Sequence, residues 1–361
     1  MDQITDAMGM IEHLNCPAFC VREGIITNAN EAAMGRMIEP GKPITDYLKA
    51  GMEEYRNFND GCLYLSLEIC GQNLGFSVIR KQGFDLFQLE QDTVNQELQV
   101  LALAARELRE PLARIMISAN QLFPETNSET DPAAAAQAAR LNRGLYQMLR
   151  LISNMSDANR YASETDIPME VKNISALLDE VFAKAAVLVD QAGIRLEYAG
   201  ISEPIYTLVH ADMLERAVLN IISNALKFTP KGGRIQASLQ KQGSKLYLSI
   251  LDNGTGIQQS LRGNIFSRYN RDAGVEDGLF GIGLGFVLIR STAIRHGGTV
   301  LVDQPEGSGT RITITLAIRP GTGKEVRSPM RGPDYASERD HGLLELSDVL
   351  GPELYDPRNT I

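Results

Sequence analysis

The sequence predicts an α+β chain of several domains: a small α/β unit, an antiparallel helical hairpin and an α/β sandwich. Three observations carry this expectation. Apolar residues from Leu98 to Leu122, and again from Ala134 to Met155, recur in alternating steps of three and four. Runs such as LYLSLEI (63–69) and KLYLSIL (245–251) instead alternate with period two, as half-buried strands do. Between Asn220 and Thr310, four segments marked by Gly and Asn interrupt these patterns: NIISNALKF (220–228), DNGTGI (252–257), GLFGIGLGF (278–286) and GSGT (307–310).

The first unit, 1–83, contains CPAFCVREGIITNANEAAMGRM (16–37), which reads as a strand, a turn at Glu23-Gly24, a second strand, and Asn30 leading a short helix. LYLSLEI and NLGFSVIRK (73–81), joined at Gly71, form a later hairpin. This order resembles a PAS domain, which implies a sensor. Cys16, Cys20, Cys62 and Cys70 all fall in this unit, and along 62–70 the leucines and Ile69 take one strand face while both cysteines take the other. Their spacing matches no standard zinc pattern, so buried thiols, or cysteines lining a small-molecule pocket, are expected. From Phe84 to Leu98 the chain is expected to run as a signalling helix straight into the hairpin.

The hairpin unit, 84–163, follows from its two heptad runs: Leu98, Leu101, Ala105, Leu108, Leu112, Ile115, Ala119, Leu122, then Ala134, Ala138, Leu141, Leu145, Met148, Ile152, Met155. The polar segment PETNSETD (124–131) joins them, and Asp131-Pro132 is a good helix start. One hairpin buries little. Two copies are expected to pack as a four-helix homodimer.

In the third unit, 164–320, Asn220 and Asn224 lie four residues apart on an amphipathic helix and share one face. An Asn carbonyl can ligate magnesium while nucleotide phosphates and water complete the shell, and Lys227 adds a positive charge on the same side. Read alone, this segment also fits an ordinary core helix. Asp252 ends a strand, where a carboxylate can accept from an adenine amino group, and Gly254 and Gly256 allow close backbone approach. Read alone, DNGTG is equally a plain turn. Gly278, Gly281, Gly283 and Gly285 precede the helical run 286–298, the arrangement in which loop N–H groups and a helix N-terminus bind phosphate. All four segments in one order point to a nucleotide site.

Over about 170–318 the chain resembles the histidine-kinase branch of the GHKL ATPases, whose fold is the Bergerat α/β sandwich. LNIISNALKFTPKGG matches that family's N box, LDNGTGI its G1 box, IFSRYNR (265–271) its F box, and GIGLGFVLI its G2 box. The resemblance implies ATP and Mg2+ as cofactors, with Asn224 as the metal ligand, Asp252 at the adenine and Lys227 at a phosphate. It further places Asn220, Phe228, Gly254, Gly256, Ile257, Gly281, Gly283, Leu284, Gly285 and Thr310 around the nucleotide. Position 220 carries Glu in the hydrolysing branches; Asn220 cannot act as a general base, so hydrolysis is disfavoured.

ARELREPLARI (105–115) is similar to the H box of the kinase dimerisation domain, with Arg106 where that family carries its phosphorylated histidine. Arginine keeps its proton and is a poor phosphoryl acceptor. Glu107, the neighbouring acid, is retained, Pro111 keeps the kink, and Glu110 stands where the family orients water for dephosphorylation. His13, His210, His296 and His341 are the only histidines, and none is on the hairpin.

A net charge of −10 and a pI near 5.1 argue against nucleic-acid binding. No apolar run reaches membrane-span length, so a cytoplasmic protein is expected. The tail, 321–361, ends in HGLLELSDVLGPELYD, whose leucines suit docking on this chain or on a partner. Three functions follow: a histidine-kinase-like protein of two-component signalling that lacks its acceptor, a kinase phosphorylating a partner histidine kinase in trans, or a scaffold for a true kinase or a response regulator.

Overall fold

Asn30 organises the start of the fold: its side chain accepts from the N–H groups of Ala33 and Ala18 and donates to the carbonyl of Cys16. It thereby caps α1 (Glu31–Met34) and ties it to strands β1 (Ala18–Arg22) and β2 (Ile25–Ala29). The computed structural model describes residues 9, 11–14, 16–90, 94–123, 132–163, 167–257, 265–266, 284–305, 309–319 and 340–356. The linker 124–131, Gly278, Gly281, Gly283 and most of 258–283 lie outside the described residues.

A helix α2 (Met52–Asn57) follows, then β3 (Cys62–Ile69), β4 (Gln72–Lys81) and β5 (Phe84–Leu89). The sheet runs β2-β1-β5-β4-β3. Phe84–Leu89 is thus a strand, not the start of the expected signalling helix. Gly83, at φ +92°, turns the chain back so that Arg80 faces Asp85 across the ladder, and Phe87 stacks on Phe19 at 4.8 Å. Period-two burial of Phe87 and Leu89 outweighs continuation into a helix. The long helix α3 begins only at Val94 and runs to Leu122.

Helix α3 packs along α4 (Pro132–Ser163), which starts at the expected Pro132. Ala105, Leu112 and Ala119 meet Leu145 and Ile152 in the seam. Five other heptad positions stay out of it: Leu108, Ile115, Leu122, Leu141 and Met148 are exposed. Pro111 lies inside α3.

The last unit contains β6 (Glu170–Asn173), α5 (Ile174–Gln191), β7 (Arg195–Ala199), β8 (Tyr206–Val209), α6 (Ala211–Phe228), β9 (Arg234–Gln242) and β10 (Lys245–Asp252). Then come α7 (Leu284–Arg295), β11 (Val300–Asp303) and β12 (Arg311–Ala317). Strands β11-β12-β10-β9-β7 form a sheet whose core is filled by the apolar stripes of α5 and α6 and by Ile289 and Ala293 of α7. Strand β11 also pairs antiparallel with β3, so ten strands form one continuous sheet across the two units.

That junction is specific. Lys245 Nζ sits 2.6 and 2.7 Å from the two carboxylate oxygens of buried Glu54, and Arg290 lies over the Tyr64 ring. Cys62 and Tyr64 turn their side chains into the core of the last unit, while Leu63, Leu65 and Leu67 fill the first. The leucine face and the Cys62 face are therefore the two sides of one strand, each covered by a different core. No pair among Cys16, Cys20, Cys62 and Cys70 is bonded.

His210 caps α6, accepting from the Met213 N–H at Nδ1, and its own N–H donates to Nε2 of His296. His296 is buried, with Nδ1 against the carbonyl of Thr292, so the neutral ring donates at Nδ1 and accepts at Nε2. Burial pushes its pKa down to about 4. The unfolded chain, with a histidine pKa near 6.5, binds this proton as pH falls below that value, while the native state resists until about 4. Stability should therefore drop by about 2 kcal/mol between pH 7 and 5 from this group. Urea midpoints at the two pH values should show the loss, and His296→Asn should remove that part of the slope; an unchanged slope would refute the assignment.

Candidate functional site

Helix α6 lays Leu214, Ala217, Val218, Ile221 and Ala225 on the sheet and turns its opposite edge toward the hairpin. Asn220 is buried there. Its Nδ2 donates to the Arg216 carbonyl (2.9 Å) and to Glu345 (3.2 Å), and its Oδ1 accepts from Arg150 (3.3 Å). Asn224, one turn on, is half-buried, and Lys227 follows with its Nζ 3.2 Å from Asp348. Burial lowers the Lys227 pKa and the charge of Asp348 opposes that shift. Phe228 ends the helix partly exposed.

Strand β10 delivers Asp252 to the same side of the sheet. Its Oδ1 accepts from the N–H groups of Gly254 (2.8 Å) and Thr310 (3.2 Å), and its backbone N–H donates to the Thr310 carbonyl. Burial raises its pKa, and those two backbone donors act against the rise. The turn closes under α6: Thr255 N–H donates to the Phe228 carbonyl, and a Cβ on Gly254 would lie 2.3 Å from that same oxygen. Glycine is needed here for close approach. Gly256 and Ile257 complete the turn.

The first turn of α7 comes in from the third side. A Cβ on Gly285 would stand 3.1 Å from Asn220 Oδ1, so this helix start abuts the Asn220 face directly. Leu284 beside it is buried against the hairpin base with Leu98, Ala158 and Tyr161. The structure therefore gathers Asn220, Asn224, Lys227, Phe228, Asp252, Gly254, Gly256, Ile257, Leu284, Gly285 and Thr310 around the ends of α6, β10 and α7; Gly281 and Gly283 are not described. Arg106 and Glu107 stand on an exposed face of α3, and Glu110 pairs with Arg114 along that helix.

One cluster at this site escaped the sequence reading. Arg216, fully buried, pairs with Glu345 (2.8 Å) and with Asp157 and Asn154 of the hairpin. Arg150 of α4 reaches Glu345 (3.2 Å), Asp348 (2.7 Å) and Ser223 (3.2 Å). A signal existed: Arg216 sits four residues before Asn220 on a helix face with no need of a second cation, and Glu345 and Asp348 share an i, i+3 spacing.

Residues 209–320 match the family described as histidine kinase-, DNA gyrase B- and HSP90-like ATPases. Curated relatives extend the similarity upstream. The histidine protein kinase DivJ of Caulobacter vibrioides is 28% identical over 221 residues, 60% of this chain and 37% of its own length. The chain is thus similar to sensor histidine kinases, and its 209–320 region carries their ATPase family match. The sensor histidine kinase WalK of Bacillus subtilis is 26% identical over 339 residues, 87% of this chain and 53% of that protein. This chain spans only 15% of the hybrid signal transduction histidine kinase D of Dictyostelium discoideum, to which it is 28% identical over 230 residues. Among solved structures, full-length ShkA in complex with AMPPNP shares the fold at a TM-score of 0.50, with 21% identity over 62% of this chain and 46% of that one.

Proposed function

We propose that this chain binds ATP with Mg2+ and acts in two-component signalling as a histidine-kinase relative whose hairpin has lost its phosphoacceptor. The observation that carries the reading is the convergence of Asn220, Asn224 and Lys227 with the turn held by Asp252. Asp252 spends one oxygen on backbone donors, leaving Oδ2 for an adenine N–H. Two amide side chains and one lysine fit a magnesium ion held mainly by nucleotide phosphates, with Asn224 as the protein ligand. Among the described residues no cluster of His, Cys, Asp and Glu offers a metal site of another kind. Asn220 lacks a base for hydrolysis, and Arg106 lacks a nitrogen lone pair for phosphoryl transfer. In this reading the unit ending at Leu89 is a PAS-like sensor and the partner is a response regulator or an active kinase. Among the described residues no helix is long and apolar enough to cross a membrane, in keeping with a cytoplasmic role.

Calorimetry with Mg·ATP tests the nucleotide. Asp252→Ala should weaken binding by about 1.5–3 kcal/mol, the worth of a hydrogen bond to a charged group, and equal affinity would show that the adenine lies elsewhere.

Arg106→His tests the acceptor. It places an imidazole beside Glu107, and acid-labile phosphate from labelled ATP should appear on that residue, with none on the wild-type hairpin. Label on the wild-type hairpin would overturn the reading, whereas label on an added kinase would favour phosphorylation in trans.

The exposed heptad row of Leu108, Ile115 and Leu122 supports a homodimer through the hairpins. Light scattering should report a dimer at micromolar concentration and a monomer for the Leu108→Glu, Ile115→Glu double variant; a monomeric wild type would refute the four-helix arrangement.

A further inference from the structure

The segment 340–356 is built to sit between the hairpin and the ATPase unit. Asp340 caps a short helix, α8 (His341–Glu345), and Leu344, Leu346, Leu350 and Tyr355 are fully buried in the core shared with α5 and α6. Tyr355 packs edge-on against Tyr146 of α4, and Asn142 and Arg143 donate to backbone carbonyls along the segment. Its apolar residues thus seat it, and the carboxylates of Glu345 and Asp348 reach inward.

Those carboxylates meet the cations of the candidate site. Glu345, with no exposed surface, bridges Arg216 and Arg150; Asp348, at the rim, bridges Arg150 and Lys227. Arg150 and Arg216 keep their charge, so burying them without anionic partners would be costly. Among the ion pairs described, removing Glu345 and Asp348 would leave Asp157 against the charges of Arg150, Arg216 and Lys227, a shift of two charges toward positive. Such a pocket attracts phosphate. With the segment seated, a phosphate chain approaching Lys227 would meet the like charge of Asp348.

We propose that residues 340–356 act as an internal competitor of nucleotide phosphate, holding Arg150, Arg216 and Lys227 with carboxylates and pinning α4 to the ATPase unit until nucleotide displaces them. The proposal rests on the ATP reading of the site. It makes the tail a latch: the seated state disfavours nucleotide, and bound nucleotide removes the tail's share of the ties between hairpin and α6, leaving the direct Arg216–Asp157 pair. A tail seated in nine chains of ten would weaken apparent affinity about tenfold.

The test uses the full chain and a fluorescent Mg·ATP analogue, with wild type, Asp348→Asn and Leu344→Asp compared, and with hydrogen exchange of 341–355 followed during titration. Asp348→Asn keeps the shape and removes the competing charge; Leu344→Asp unseats the segment. Both should bind more tightly than wild type, Leu344→Asp by about tenfold, and saturating nucleotide should raise exchange across 341–355 in wild type. Equal affinity in wild type and Asp348→Asn, or unchanged exchange under saturation, overturns the latch while leaving the ATP site intact. No binding by any of the three removes the ATP reading and the latch with it.

Discussion

Arg216 is the constraint on which the arrangement of the last two hundred residues depends. A guanidinium with no exposed surface must find anionic partners, and it takes Asp157 from the hairpin and Glu345 from the tail, with Asn154 beside them. Removing one partner from such a group costs more than forming the pair gains, so the cluster specifies geometry more than it adds stability. Arg150 repeats the logic from the other side, reaching Glu345, Asp348 and the Asn220 side chain. Helix α4, helix α6 and the tail therefore hold one relation to each other. The candidate phosphate face of α6 lies inside it.

The second constraint is the sheet. Pairing β3 with β11 removes an edge from each unit and makes the first unit's sheet continuous with that of the ATPase unit. Gly61, at φ +93°, permits it: a Cβ there would lie 2.2 Å from the Val302 carbonyl. The junction also explains why one face of β3 carries Cys62 and Tyr64 in a core that the first unit does not own.

Much of this was legible from local patterns. Asn30 and Pro132 marked helix starts because capping is a short-range matter of one side chain and the next turn. The alternation around Leu246, Leu248 and Ile250 marked a strand because its inward face is buried by α5 and α6. The α6 face and the Asp252 turn were legible for the same reason, with Asn220 to Asn224 one turn apart. The failures are non-local. Phe84–Leu89 carries no strong strand signal by itself; it becomes a strand because β1 and β4 flank it on both sides. The heptads marked the helices but not which half of the stripe faces inward, since Leu108 and Leu112 have equal hydrophobicity and different neighbours. The Arg150–Arg216–Glu345 cluster joins residues up to 195 positions apart, so local spacing can mark Arg216 and the Glu345–Asp348 pair but not that they meet.

Helix α7 ties these parts together because its ends touch the hairpin and the Asn220 face while its middle reaches the first unit. Its first turn abuts Asn220 through Gly285 and packs Leu284 on the base of the hairpin. Near its middle, Arg290 lies over Tyr64 of the first unit and 4.0 Å from Glu90 just after it, and its last residue donates to the Tyr161 carbonyl of α4. Contiguity alone is not coupling. Yet a close-packed helix that shifts at Arg290 disturbs its fit at Gly285, where even a methyl group would stand only 3.1 Å from Asn220 Oδ1. A displacement of β3 at Tyr64 therefore bears on the same helix that abuts Asn220 and packs on the base of the hairpin.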